Sequence, residues 1–195
     1  MNMKFLKELP DQELINRYRD GSMDAFNCLV NRYKDQLYTS IYLLIKDKEL
    51  AEDIFQEAFL RAIKSINERR YNEKGMFLAW IIRIAHNMYL DHLRKEKRSP
   101  VSKTFDNDVL INELHTSTDE ADHRIVEEQK LEKIRQMILL LPKDQQEIII
   151  LRHYADLSFK EIASIMNISI NTALGRIRYA LMNLRKILRE QEITF

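Results

Sequence analysis

Residues 157–188 read LSFKEIASIMNISINTALGRIRYALMNLRKIL. Ser158 with Glu161 three positions on is a capping box, the side-chain exchange that starts a helix. Asn167 falls just after Met166, where a tight turn needs a left-handed residue, a conformation that asparagine tolerates better than most. Ser169 is placed to cap a second helix, whose apolar positions Ile170, Ala173, Leu174, Ile177, Leu181, Leu184 and Leu188 are expected to pack inward. Two helices joined by about three residues, the second one basic, form a helix-turn-helix. Arg176, Arg178, Arg185, Lys186 and Arg189 lie in a stretch that contains no acid. Ser169, Asn171, Thr172, Gly175, Arg176, Arg178 and Tyr179 are candidates to face a major groove, where arginine reads guanine and asparagine reads adenine.

Working outward, the rest of the chain is helical too. Three glycines and three prolines in 195 residues are six where an average chain of this length has about 12% of its residues as those two types. Sheets and barrels need such residues at every turn, so the fold class is all-α. The stretch SPVSKTFDNDVLINELHTSTDEA, 99–121, breaks the helical pattern with Ser-Pro and many Ser, Thr, Asp and Asn. It reads as a flexible acidic linker between two small helical domains, 1–98 and 122–195.

In the first domain, apolar residues at 51, 54, 55, 58, 59, 62 and 63 make the stripe of an amphipathic helix. Its opposite face carries Asp53, Gln56 and Glu57. Asp11 and Ser22 precede helix-forming runs as expected N-caps, and Tyr33, Leu37, Tyr38, Ile41 and Tyr42 recur at core spacing. In FLAWIIRIAHNMYLDHLRK, 77–95, a core face at 77, 81, 84, 85 and 88 is accompanied by a second stripe of Trp80, Arg83, Asn87, Asp91 and Arg94. Upstream lie Arg69, Arg70, Tyr71, Asn72 and Lys74 in a turn-like basic loop. Aromatic, guanidinium and amide groups together suit stacking on bases and gripping phosphates.

Net charge is +1, which hides −3 over 1–60, +6 over 61–98, −4 over 99–121 and +2 over 122–195. Two separated basic surfaces point to a polyanion touched at two places. The five histidines are scattered, and the chain has no nucleotide-binding glycine loop, no HExxH and no carboxylate pair at catalytic spacing. No enzyme activity, metal or cofactor is expected. Cys28, the sole cysteine, allows no internal disulfide and reads as a small buried apolar residue. No apolar run approaches the ~20 residues of a membrane span, and the charged start MNMKFLKELPDQE is unlike a signal peptide, so a cytoplasmic protein without membrane insertion is expected. These features alone admit a helix-turn-helix repressor or activator, with 1–98 as a sensing or dimerising domain. The basic stripe beside an aromatic loop argues against it.

Three stretches, AEDIFQEAFLRAI at 51–63, FLAWIIRIAHNMYLDHLRKEKR at 77–98, and LP followed by LSFKEIASIMNISINTALGRIRYALMNLRKIL from 141 to 188, occur in that order. In content and spacing the chain resembles a bacterial RNA polymerase sigma factor of the extracytoplasmic-function class, within the sigma-70 family. The resemblance implies a factor that directs promoter-specific transcription initiation. It implies that Asp53, Gln56 and Glu57 dock on core RNA polymerase. It also implies that the loop 69–76 and helix 77–95 read and open the minus-ten element as single strand, and that helix 169–180 reads the minus-thirty-five element as promoter DNA duplex. The linker, with Asp106 and Asp108, would suit a channel built for nucleic acid, and an anti-sigma factor or other regulatory protein is an expected partner.

The chain departs from the family pattern at two places. Members often carry Gly-Thr-Val-Lys-Ser-Arg where this chain has Asn171-Thr172-Ala173-Leu174-Gly175-Arg176. Without the lysine one phosphate contact is lost, which lowers the salt slope of binding by about 0.9. Asp156 stands where a glycine is common and reads as a turn substitution.

Overall fold

The computed structural model describes residues 3–72, 76–98 and 133–190. Among the described residues every element is helical. The first domain comprises α1 (Met3–Glu8), α2 (Asp11–Arg19), α3 (Met23–Ile45), α4 (Lys48–Asn67) and α5 (Phe77–Arg98). The second comprises a helix over 133–139, here α6, then α7 (Lys143–Ile149), a π-helical turn (Ile150–Tyr154), α8 (Phe159–Met166) and α9 (Ile170–Glu190). The expected linker 99–121, with Asp106 and Asp108, lies outside the described residues.

Local chemistry accounts for most of the boundaries. The Asp47 carboxylate accepts from the Leu50 amide at 3.0 Å and so starts α4. Ser158 and Glu161 form the complete capping box of α8, and Asn167 ends that helix in the left-handed region at φ 53°. Ser22 occupies the N-cap of α3 without a side-chain capping bond. Asp11 departs from its expected role. Pro10, with φ fixed near −66°, takes the cap position, and Asp11 becomes the first helical residue. Its carboxylate instead turns into the core, where it accepts from Arg32 Nη1 at 2.7 Å and from the Tyr33 hydroxyl at 2.8 Å. Arg32 also donates to the carbonyls of Lys7 and Leu9 at 2.9 and 2.7 Å, which ties α1 and α2 onto α3.

Leu14, Leu29, Leu37, Ile66, Phe77 and Ile81 are fully enclosed at the centre of the first domain. Leu37 and Ile41 are buried as their spacing predicts, whereas Tyr33, Tyr38 and Tyr42 are half-buried. Cys28 is also half-buried rather than enclosed. In the second domain Ile148, Ile150, Leu151 and Ile162 play the enclosing role.

The two domains touch. The C-terminal end of α3 meets the π-helical turn, and α8 lies against α5. Lys46 Nζ donates to Gln146 Oε1 at 2.6 Å, and His86 Nε2 pairs with the Glu147 carboxylate. Gln146 is itself held by donating to the carbonyls of Leu139 and Leu141 at 2.9 and 2.6 Å. Burial, with the charge of Lys143 nearby, holds the Lys46 ammonium below the usual lysine range.

Burial and the bond to Asp11 push the Tyr33 hydroxyl up to about 12. The folded value exceeds the unfolded one, so the stabilisation is complete below pH 10 and is lost as pH rises toward about 12. A urea titration across that window should show a smaller loss in Tyr33→Phe than in the native chain, the remainder belonging to Tyr38 and Tyr89, whose hydroxyls burial also raises. Asp11→Ala, which strands the Arg32 guanidinium, should lower stability by about 3 kcal/mol with an unchanged urea slope.

Candidate nucleic-acid interface

Helix α4 buries Ala51, Ile54, Ala58, Phe59 and Ala62 along one side. Asp53 and Gln56 stand exposed on the other, with Glu57 beside them accepting from Arg61 Nε at 2.8 Å. Leu60 completes the i, i+4, i+7 row from Asp53 through Glu57, and it is 60% exposed. A large exposed apolar side chain in line with Asp53 and Glu57 is the kind of group found in docking faces. Leu60 went unremarked in the sequence because one apolar residue outside a stripe carries no periodic signal.

At its C-terminus α4 closes in a Schellman arrangement. The Arg70 amide donates to the Ser65 carbonyl at 2.8 Å and the Arg69 amide to the Ile66 carbonyl at 3.1 Å. The residue in the left-handed position is Arg69, at φ 56°, where helices prefer glycine. Arg69, Arg70 and Asn72 are exposed, and Arg70 pairs with Glu68 at 3.2 Å. Lys74 lies outside the described residues. Met76, 47% exposed, adds an apolar side chain at the mouth of the loop that the sequence reading did not single out.

Tyr71 and Trp80 differ from expectation. They are only 4% and 8% exposed, with ring centroids 4.6 Å apart in an edge-to-face contact and Phe77 against both. Neither ring offers a face to a base. The physical reason is that α5 packs on both α3 and α4. Its core face is therefore wider than a single stripe and takes in Trp80, Ile82 and His86 as well as Phe77, Ile81 and Ala85. Tyr71 and Trp80 instead anchor the loop from beneath. Asn87 and Arg94 remain exposed along α5, Arg94 pairing with Asp91 at 2.8 Å. Arg83 is half-buried and engaged within the fold.

In the second domain the Ser169 hydroxyl accepts from the Thr172 amide at 3.0 Å and starts α9 as predicted. Asn171, Thr172, Arg178 and Tyr179 are exposed on that helix, with Ser169 exposed at its cap. Arg176 is not free on that surface: it lies half-buried with Nε 3.4 Å from the Asp144 carboxylate of α7. The apolar row differs as well. Only Ala173 and Ala180 of α9 are buried, while Ile170, Leu174 and Leu181 stand 47%, 44% and 46% exposed. Its main neighbours, α7 and α8, are too few to cover a 21-residue helix all round. A Cβ built at Gly175 would meet nothing within 4 Å, so no packing constraint requires glycine inside this helix. Asp156 sits at φ 48°, which explains why a glycine suits that position.

Comparison with known proteins identifies the family. Residues 29–99 match the family model described as Sigma-70 region 2, and residues 131–184 that described as Sigma-70, region 4. The ECF RNA polymerase sigma factor SigW of Bacillus subtilis is 32% identical over 188 residues, covering 94% of this chain and 99% of that protein. The chain belongs to the ECF class of the sigma-70 family. The RNA polymerase sigma-H factor of Pseudomonas aeruginosa is 29% identical over 88% of the chain and 90% of its own length. Among solved structures, CnrH in complex with the cytosolic domain of CnrY has a TM-score of 0.62 at 20% identity, covering 92% of this chain and 97% of that one. The sigma factor RpoE in complex with the anti-sigma factor NepR, from Bartonella quintana, has 0.63 at 22%, covering 84% and 96%. The fold is thus that of sigma factors. Members of this family act in promoter-specific transcription initiation and are regulators of transcription rather than enzymes. No described helix of this sigma factor is long and apolar enough to cross a membrane.

Two substitutions separate stability from contact with nucleic acid. Arg69→Gly relieves a left-handed residue and should raise stability by about 1 kcal/mol in a urea melt while weakening single-strand affinity. Gly175→Ala should likewise add about 0.5–1 kcal/mol of stability and weaken duplex affinity. Unchanged binding in either variant removes that residue from the interface.

Proposed function

We propose that this sigma factor docks on core RNA polymerase through the α4 face of Asp53, Gln56, Glu57 and Leu60. The basic turn and α5 then hold one strand of an opened minus-ten element, while the exposed residues of α9 read the minus-thirty-five duplex. The observation that carries this reading is that one helix, α4, bears Asp53, Gln56, Glu57 and Leu60 on its outer side and the basic turn of Arg69 and Arg70 at its end. The residues that meet the strand are Arg69, Arg70, Asn72, Asn87 and Arg94, with Met76 in place of the two buried rings.

Energetics call for the polymerase. Opening roughly ten base pairs costs about 14 kcal/mol at about 1.4 kcal/mol per step, more than a few captured bases return at about 1–3 kcal/mol each. RNA synthesis belongs to the partner. The complex of RpoE with an anti-sigma factor supports a regulatory partner for this chain as well.

The domain contact bears on the reading. Elements ten and thirty-five base pairs upstream are about 25 base pairs apart, or roughly 85 Å at about 3.4 Å each. Here α8 lies against both α5 and α9, which at about 8–10 Å per helix layer puts the two surfaces about 20 Å apart. Binding both elements at once requires the domains to separate.

Run-off transcription with purified core polymerase on a library of upstream regions tests the function directly: new start sites should appear only when the protein is added. Asp53→Ala with Glu57→Ala should weaken core-polymerase binding, and unchanged affinity would refute the docking face. Spin labels at Lys64→Cys and Lys160→Cys, in a Cys28→Ser background, should give one short distance in the free protein. That distance should lengthen by tens of ångströms, about 40 Å or more, in the promoter complex.

A further inference from the structure

Arg19 closes α2, forty-seven positions before the carbonyl it reaches. Its Nε donates to the Ile66 carbonyl at 3.3 Å and its Nη2 to the Tyr71 carbonyl at 3.2 Å. Those two oxygens bracket the basic turn: Ile66 is in the last turn of α4, and Tyr71 is the residue at which the chain re-enters the core. The Ile66 carbonyl already accepts from the Arg69 amide at 3.1 Å, so Arg19 is its second donor. One planar guanidinium thereby fixes the distance between both ends of the turn. A lysine, a point charge on a flexible stem, cannot reproduce that fork. The cation also lies at the negative end of the α4 dipole, where unsatisfied carbonyls collect.

The turn is held from two directions. From beneath, the Tyr71 ring is wedged against Trp80 and Phe77. From the side, Arg19 grips the backbone. Between these anchors the Arg69 and Arg70 side chains point to solvent, and Asn72 follows at once, exposed. The approach of α2 is itself set by Gly21, whose φ of 97° lets the chain reverse into α3 directly after Arg19.

We propose that Arg19 is a positioning residue for strand capture: without touching DNA, it sets the geometry in which Arg69, Arg70 and Asn72 meet an unpaired strand, and so determines base discrimination as well as affinity. The inference rests on the reading of this turn as the strand-binding surface. A guanidinium that only stabilised the fold would scale the affinity of every sequence alike. One that positions the turn changes the ratios between sequences.

The test uses the full chain assembled with core polymerase and fluorescent single-stranded DNA. One oligonucleotide carries the minus-ten sequence of a promoter active in the run-off assay, and the others replace each base in turn. The native holoenzyme should prefer the parent sequence by about tenfold at one position or more. Arg19→Ala and Arg19→Lys should bring that ratio close to one, chiefly by weakening the parent sequence, while core-polymerase affinity stays within about twofold. Arg19→Lys keeps the charge, and a melting temperature near that of the native protein would show that its fold is intact. If both variants keep the native ratio, or lose affinity for every oligonucleotide by one factor, the positioning role is refuted. If the native holoenzyme itself shows no preference, strand capture by this turn fails first and takes the role of Arg19 with it, an outcome read without any variant.

Discussion

Helix α5 is enclosed on three sides, by α3 and α4 of its own domain and by α8 of the other, and the position of each surface depends on that enclosure. Phe77, Trp80, Ile81, Ile82, Ala85 and His86 are all buried along it. Burying one large apolar side chain contributes about 1.5–3 kcal/mol, so this helix carries a large share of the cohesion of the first domain. The same packing orients the rest of α5. With its inner faces committed, the side chains left for solvent are Asn87, Asp91, Arg94, Lys95, Glu96, Lys97 and Arg98, and the basic end of the helix follows from the geometry of its apolar beginning. The cluster of Tyr71, Phe77 and Trp80 then joins that helix to the turn before it.

Several of the cations at the surface are paired with acids. Arg61, Arg70, Arg94 and Arg176 each sit within 3.4 Å of a carboxylate of Glu57, Glu68, Asp91 or Asp144. Such exposed pairs contribute about 0–1 kcal/mol each. A phosphate arriving at one of these four would displace a weakly held acid rather than meet a bare charge. This arrangement tempers non-specific attraction to nucleic acid, in keeping with a chain whose net charge is only +1.

How much of this was legible in the sequence depended on the range of the interaction. The helix boundaries of the helix-turn-helix are readable to the residue, because Ser158, Glu161, Asn167 and Ser169 act within three or four positions of themselves, whereas the buried face of α9 is not. The amphipathic stripe of α4 was readable for the same reason. Asp11 was misplaced because Pro10 competes for the cap and a partner 21 residues away, Arg32, claims the carboxylate. The rings of Tyr71 and Trp80 were expected outside because a helix buried on several sides has no simple period. The pairing of Arg176 with Asp144, the grip of Arg19 on Ile66 and Tyr71, and the contacts of Lys46 and His86 with Gln146 and Glu147 join residues 32 to 100 positions apart. No local pattern announces them. Of the candidate contact residues, the polar and charged ones are legible from the sequence; the apolar Leu60 and Met76 emerge only from the packing.

Lys46, Arg69, Asp156 and Asn167 all hold left-handed backbone without being glycine. Each such residue costs about 1–2 kcal/mol, somewhat less for the Asp and Asn, in a molecule whose total stability is of the order of 5–15 kcal/mol. Two of the four lie where the chain does something beyond turning: Lys46 reaches across to the other domain, and Arg69 stands on the basic turn. A version with glycine at those two corners would be sturdier and, at both, mute.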